Sequence, residues 1–304
     1  MGFLLAVQGA ASQGILWGIM ALGVFITFKV LDFPDLTVDG SFALGGAVGA
    51  VLISARVDPF LAVLAAFASG CLAGAATALL HTKLKIPGIL AGILTMIALY
   101  SINIRVMGKA NIPLLGVATL MNRLSDVTGA GKNLSSLITG AVFSAALIAL
   151  LYWFFGTETG SAIRATGTNE HMARAQGIHT ENMKLIGLAL SNGLTALSGA
   201  LVAQSQGYAD VGMGTGAIVI GLASIIIGEV IFGHHIAFWY TLAGVVLGSV
   251  VYRIIIALVL QLGMKSTDLK LLTACIVALA LSIPVIKKNF VHNRRFKISQ
   301  KGGA

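Results

Sequence analysis

Apolar runs of about 20 residues recur along the sequence, and no other feature restricts the fold as strongly. A helix of that length crosses a hydrocarbon core of about 30 Å. Because lipid offers no partners to backbone N–H and C=O groups, such runs must be helices. Hydrophobic residues make up 57% of the 304-residue chain, against about 45 to 50% in soluble domains. The sequence therefore predicts an all-α integral membrane protein, a polytopic helix bundle of about 8 to 10 spans.

Run lengths and helix breakers divide the chain into nine predicted spans. They cover residues 9–31, 41–55, 59–81, 87–107, 134–155, 186–206, 216–233, 236–262 and 271–286. Small residues are frequent within them, as in GGAVGA at 45–50, and let helices approach closely. We expect one transmembrane domain over 1–290 and a basic tail over 291–304.

The formal net charge of +9 is explained by membrane topology. With the C-terminus in the cytoplasm, twelve lysines and arginines fall on the inner side and seven on the outer side. A re-entrant segment at 31–55 would instead place the N-terminus inside. The tail lacks a nucleic-acid-binding motif, so we expect it to contact lipid head groups and no nucleic acid.

The stretch LDFPDLTVDGS at 31–41 is acidic and contains helix breakers between two apolar runs. Two interpretations stay open. Its side chains can be helix caps and solvated loop residues, with Asp39 or Ser41 capping the second span. Alternatively, broken helices in transporters line the pathway, and Asp35, Thr37, Asp39 and Ser41 would then offer oxygens to it.

The most polar part of the chain lies between the fifth and sixth predicted spans and carries signals for a short helix. Thr168 or Asn169 can cap it, Glu170 follows in the first turn, and Gly177 ends it. Such a helix could rest on the membrane surface. Its few large apolar residues favour docking into another protein on the cytoplasmic side.

Motifs for chemistry are missing from the sequence. The nearest imitation of the phosphate-binding loop GxxxxGK[ST] is DVTGAGKN, which has Asp126 in place of the first glycine and Asn133 in place of the hydroxyl. The histidines form no i, i+4 pair typical of a metal site. We therefore predict no catalytic residue, no metal site and no directly bound cofactor, so that ATP hydrolysis would need a partner.

Two ionisable residues lie within predicted spans, where charge is costly and commonly functional. Glu229 is near the inner end of its span and can extend its side chain to the interface. Arg253 either faces the pathway and meets a substrate carboxylate or stabilises a helix end. At about 1.5 Å rise per residue the two differ by roughly 20 Å in depth, so we expect them not to pair.

Two segments resemble the permease subunits of ATP-binding-cassette (ABC) importers for branched-chain amino acids and ribose-type sugars. DLTVDGSFALGGAVGAVL resembles the polar turn that leads into a small-residue-rich second helix of that family. RATGTNEHMARAQGI resembles its coupling loop. The string FPDLTVDGSF is similar to a subgroup of which some members take up aromatic amino acids.

The resemblance implies a dimer that works by alternating access in the bacterial cytoplasmic membrane. An extracytoplasmic binding protein delivers the solute, and two separate ATPase subunits use ATP and Mg. The expected ATPase-coupling residues are Gly167, Asn169, Glu170, Ala173, Arg174, Gly177 and Ile178; the pathway or gate candidates are Asp35, Thr37, Asp39, Ser41 and Arg253. The alternative function is an ion-coupled secondary transporter or a channel that needs no ATPase, but the chain lacks a series of buried acidic residues for a proton relay.

Overall fold

The structure is a computed structural model that describes residues 2–129, 131–233 and 237–263, together with 268, 271, 273–278 and 282. The helices are α1 (Gly2–Phe25), continued by the π-helix Ile26–Val30, then α2 (Thr37–Ser54), α3 (Pro59–Thr82), α4 (Gly88–Met107), α5 (Leu120–Thr128), α6 (Lys132–Phe155), α7 (Glu158–Thr168), α8 (Glu170–Ala175), α9 (Thr180–Gln206), α10 (Ala217–Phe232) and α11 (Phe238–Gln261). Two short strands, β1 (Asn111–Pro113) and β2 (Tyr208–Asp210), pair antiparallel.

Seven helices in the described ranges are long and apolar enough to cross a membrane, which confirms the polytopic helical fold. They are α1 with its π-helical extension, α2, α3, α4, α6, α9 and α11. The predicted span 216–233 is the helix α10, which has 16 residues and is shorter than a full span of about 20. Half of the predicted span 271–286 lies outside the described residues, and the basic tail lies wholly outside them.

Helices α1, α2 and α9 form the interior of the bundle, and small residues bring their backbones together. A Cβ added to Gly45 would lie 1.8 Å from the Ala196 carbonyl oxygen, and one added to Gly199 would lie 2.0 Å from that of Phe42. Close packing through small residues is thus confirmed between α2 and α9. Exposed apolar side chains on α3, α4 and α6, such as Leu72 and Trp153, face outward where lipid would lie.

Two helices, α5 and α7, and the two strands β1 and β2 were not predicted from the sequence. Residues 156–184 contain the helix α7 before α8, and the loop after α4 contains β1 and α5. Helix α7 begins where the Thr157 hydroxyl accepts a hydrogen bond from the Gly160 N–H. Its eleven residues, ETGSAIRATGT, contain a single large apolar side chain, Ile163, so the segment carried little hydrophobic signal. The strands contain Asn, Pro and Asp, which disfavour sheets, so composition gave no strand signal.

Candidate coupling and translocation site

Helix α8 has the ends that the sequence predicts. Asn169 has an extended backbone, and its side-chain oxygen accepts a hydrogen bond of 3.0 Å from the Met172 N–H. Asn169 is therefore the cap, whereas the Thr168 hydroxyl donates to the Arg164 carbonyl within α7. Beyond the helix, Gly177 has φ +83°, a left-handed conformation that glycine adopts without strain. These two ends make α8 a defined short helix after α7.

The two faces of α8 differ. Ala173 is fully buried, and its carbonyl accepts a hydrogen bond from the Ile178 N–H, which folds the chain back after Gly177. His171 and Met172 point outward, and the Met172 side chain is 50% exposed. The outward side of α8 therefore carries an exposed apolar side chain.

A polar cluster holds α8 against the bundle. One Glu170 carboxylate oxygen accepts a hydrogen bond from Lys184 at 2.7 Å, and the other accepts from Arg174 at 2.8 Å. The Lys184 Nζ also lies 3.4 Å from His81 Nε2, while His81 Nδ1 is 2.8 Å from the Ile86 carbonyl oxygen. Side chains at the ends of α3 and α9 therefore fix the start of α8.

The pKa of the Glu170 carboxyl lies below its ordinary value. Partial burial acts to raise it, but the hydrogen bond and charge of Lys184, with smaller contributions from Thr180 and Arg174, outweigh that effect. Glu170 is thus a carboxylate at neutral pH. Sequence reasoning selected Glu170 and Arg174 but missed His81 and Lys184, because no local pattern indicates that the ends of α3 and α9 meet α8.

Gly167 brings the end of α7 against the start of the acidic stretch at 31–41, called the acidic turn below. A Cβ at this position would lie 2.0 Å from the Val30 carbonyl oxygen and 2.8 Å from the Leu31 Cα, so only glycine fits. A groove of about 600 Å³ follows this contact and is lined by residues 31–34, 87–89 and 166–170 with His81 and Lys184. The end of α7 and the start of the 31–41 stretch are therefore neighbours in space.

The acidic turn is mostly buried, so the interpretation as solvated loop residues is wrong for Asp35. This side chain is 2% exposed; one carboxylate oxygen accepts from the Thr37 N–H at 2.9 Å and the other from Asn192 Nδ2 at 2.7 Å. The Ser41 hydroxyl donates to the Asn192 Oδ1 at 2.7 Å. Thr37 shares a 2.7 Å hydrogen bond with Thr77 of α3. These contacts tie the turn to α9 and α3.

Asp39 does not cap the second span, which was one sequence interpretation. Helix α2 begins at Thr37, so Asp39 already lies in its first turn. Its carboxylate oxygens instead accept hydrogen bonds from the Gly216 N–H at 2.8 Å and the Ile218 N–H at 2.9 Å. Asp39 therefore caps the start of α10 from another helix. Ser41, the other suggested cap, also lies inside α2 and bonds to Asn192.

The two intramembrane charges do not pair with each other, as predicted. Glu229 forms an ion pair of 2.8 Å with Lys29 of the π-helix. The Arg253 guanidinium carbon lies 4.2 Å from the centroid of the Trp17 ring. Trp17 was not singled out from the sequence, because a lone tryptophan in an apolar run carries no signal for this contact.

Residues 6–282 match the family model described as branched-chain amino acid transport system, permease component. The chain belongs to this family. The permease is 42% identical over 266 residues to a tyrosine transport system permease protein of Clostridioides difficile, covering 88% of this chain and 87% of that protein. It is 32% identical to an uncharacterised protein of Rickettsia prowazekii, covering 90% of this chain and 95% of that protein.

A more distant relative of the permease is a ribose import permease protein of Escherichia coli, 27% identical over 69% of this chain and 64% of that protein. Among solved structures, a chain of an ABC transporter in an inward-facing conformation aligns with 93% of this permease and 85% of its own length, with a TM-score of 0.48 and 14% identity. Its family and its relatives make this permease the membrane component of an ABC transport system.

Proposed function

We propose that this permease imports an amino acid as one half of a homodimer, driven by ATP hydrolysis in a separate ATPase that holds α8. The observation that carries the proposal is the geometry of α8. It is a short helix with defined ends, it is fixed to the bundle by Glu170 and Lys184, and it presents Met172 outward. A lever needs a rigid attachment on one side and a partner surface on the other, and α8 has both.

The choice of an amino acid as solute follows from the relatives. A relative of 42% identity is named a tyrosine transport permease, and the ribose permease stands at 27%. Extension from one relative to another within a fold family is an analogy. It favours a small polar solute and, within that class, an amino acid.

A displacement of α8 would be transmitted to the bundle through two sets of contacts. Helix α9 runs without interruption from Thr180, whose hydroxyl contacts Glu170 and Arg174, to Asn192, which binds Asp35. The second contact is that of Gly167, at the end of α7, with Val30 of the π-helix. ATP can drive the change only if the ATPase contacts of α8 differ between the two states of the transporter. ATP and Mg would be held by the ATPase.

The basic residues support one sidedness. Lys29, Lys83, Lys85 and Arg164 lie at the end of the bundle that carries α8, and by the positive-inside rule this end would face the cytoplasm in a bacterial inner membrane. The C-terminus would be cytoplasmic as well. The opposite end, with β1, β2 and α5, would receive an extracytoplasmic substrate-binding protein. Aromatic side chains such as Trp153 and Trp239 at the α8 end would lie at the lipid interface.

The test compares Met172→Glu on α8 with Leu115→Glu, which replaces an 82% exposed leucine at the other end of the bundle. Both changes put a carboxylate on an exposed apolar position, so neither should lower the melting temperature. We expect Met172→Glu to weaken retention of the copurified ATPase by roughly tenfold or more, since buried interface anchors dominate affinity. Leu115→Glu should retain the ATPase.

Uptake measured in proteoliposomes tests the direction of transport and its source of energy. The wild-type complex should accumulate an amino acid only with ATP and the ATPase. Uphill uptake by the permease alone, driven by an ion gradient, would overturn the proposal and favour a secondary transporter. Unchanged ATPase retention and uptake with Met172→Glu would contradict the role of α8.

A further inference from the structure

Arg253 is a cation inside a membrane span without an anionic partner among the residues that the structure describes. It lies in α11, and its guanidinium stacks on the Trp17 ring of α1 at 4.2 Å. A cation–π contact offsets only part of the cost of removing a charge from water. Ionisable groups in spans are commonly functional for this reason.

Three buried hydrogen-bond donors at the seam between α1 and α11 have no partner in the described part of the chain. They are the Arg253 Nε, the Trp17 Nε1 and the Ser249 hydroxyl. Ser249 lies four residues before Arg253, so both occupy the same face of α11. At this level α1 and α11 are in close contact, since a Cβ on Gly14 would lie 2.6 Å from the Val250 Cα.

The chemistry of these groups points to an anion. Buried donors without acceptors are strongly unfavourable. A carboxylate accepts several hydrogen bonds and matches the two-pronged geometry of a guanidinium. The unpartnered Gln13 Oε1 on α1 is an acceptor for an ammonium or amide hydrogen.

Trp17 positions the guanidinium and does not stack on the solute. Phe42 packs against the same ring with centroids 4.6 Å apart, and Trp17 is only 6% exposed. No open face is therefore left for an aromatic side chain. Arg253 and Trp17 would therefore recognise the charged group of a solute and would not discriminate between solute side chains.

We propose that Arg253 binds the α-carboxylate of the amino acid as it passes through the permease, with Trp17 fixing the guanidinium plane. This inference rests on the proposed function, because it assumes that an amino acid is the solute. A solute that brings its own negative charge neutralises Arg253 within the bundle, so the pair needs no permanent acidic partner. Release would restore the unpaired cation.

Intrinsic fluorescence of Trp17 provides the test. The chain has three tryptophans, so a Trp153→Phe/Trp239→Phe background leaves Trp17 as the reporter in the purified permease. We expect a saturable change on titration with L-tyrosine and none with tyramine, which lacks the carboxylate. Arg253→Gln should raise the half-saturating concentration by at least about tenfold, while Arg253→Lys should lose less because it keeps the charge.

Equal responses to tyrosine and tyramine, or the same titration with Arg253→Gln as with the parent, would overturn the assignment and leave bound water as the partner of these donors. If Arg253→Gln fails to fold, the tyramine comparison and Arg253→Lys still decide. Uptake separates the two proposals. A wild-type complex that imports no amino acid refutes the proposed function, whereas wild-type uptake with an unchanged half-saturation in Arg253→Gln refutes only the carboxylate site.

Discussion

Gly167 and Val30 lie in direct backbone contact, although they belong to segments far apart in the sequence. A Cβ on Gly167 would come within 2.0 Å of the Val30 carbonyl oxygen, a distance that no side chain could occupy. Val30 ends a π-helix, a form that is common at functional sites, and Asp32 two residues later has φ +50°. The end of α7, which leads into α8, thus packs against an irregular part of the backbone.

Gly167→Ala should loosen this contact. Because the clash is with backbone atoms, α7 or the π-helix must shift, and overpacking of this kind costs about 1 to 3 kcal/mol. We expect a lower melting temperature in detergent and a loss of ATP-driven uptake. Gly131→Ala is the matched control, because a Cβ there meets nothing within 4 Å. A Gly167→Ala protein as stable and active as this control would show that the contact is dispensable.

The Glu170–Lys184 pair should stabilise the base of α8. The Lys184 side chain is 15% exposed and the Glu170 side chain 33%. Solvent therefore weakens the attraction between the two charges but does not screen it fully. A double-mutant cycle with Glu170→Gln and Lys184→Met should give a coupling of about 1 kcal/mol in the free energy of unfolding. Arg123→Met with Asp58→Asn, an exposed pair at the other end of the bundle, is the comparison and should give less.

The same carboxyl gives a pH dependence with a definite sign. The pKa of Glu170 is lowered in the folded protein from its ordinary value of 4.5. The ionised carboxylate therefore contributes to the free energy of unfolding above pH 4.5. That contribution is lost as the pH falls through the pKa that Glu170 has in the folded protein. Melting temperatures measured from pH 7 downward should fall less for Glu170→Gln than for the wild type in this acidic range. Parallel curves would mean that the pair contributes nothing measurable.

The sequence predicted what is local and missed what is distant. Spans followed from apolar run length, and α8 followed from Asn169 and Gly177, whose signals lie within a few residues of the helix they bound. The hydrogen bond from Asn192 to Asp35 joins residues 157 positions apart, and no periodicity encodes it. The interpretation of Asp39 as a cap of the second span was wrong for the same reason, because Asp39 caps α10 and not its own helix.

Exchange of the side chains at 35 and 192 should separate chemistry from fold. Asp35→Asn or Asn192→Asp alone places two like groups together and leaves a buried hydrogen bond unmade, at a cost of about 1 to 3 kcal/mol. In Asp35→Asn/Asn192→Asp the amide at 35 can donate to the carboxylate at 192, and that carboxylate can still accept from the Ser41 hydroxyl. The 3.0 Å hydrogen bond that Asn192 Nδ2 donates to the Leu188 carbonyl is lost, because a carboxylate has no donor. We expect the double variant to melt above either single variant and below the wild type.

Transport measured on the same variants tests whether the negative charge of Asp35 is needed for uptake. If the Asp35 carboxylate is needed only to hold α9, uptake should recover together with stability in the exchanged protein. A folded double variant without uptake would show that the negative charge itself must stand at position 35, as expected for a residue that acts in the pathway. Thr77→Val, which removes the hydrogen bonds of the Thr77 hydroxyl to Thr37 and to the Ala73 carbonyl, is the control for a purely local loss.

Asp39 decides whether the acidic turn acts in transport or in folding. Its carboxylate caps α10 through the Gly216 and Ile218 N–H groups, and loss of such a cap costs about 0.5 to 2 kcal/mol. Asp39→Ala should therefore lower the melting temperature, and Asp39→Asn should lower it less because one acceptor remains. Asp126→Ala, at an exposed aspartate of α5, should change neither stability nor uptake. If uptake by Asp39→Ala falls only in proportion to folded protein, the residue is a cap. A larger fall in uptake at full folded yield would place Asp39 in the pathway, since α10 would then be intact while transport is lost.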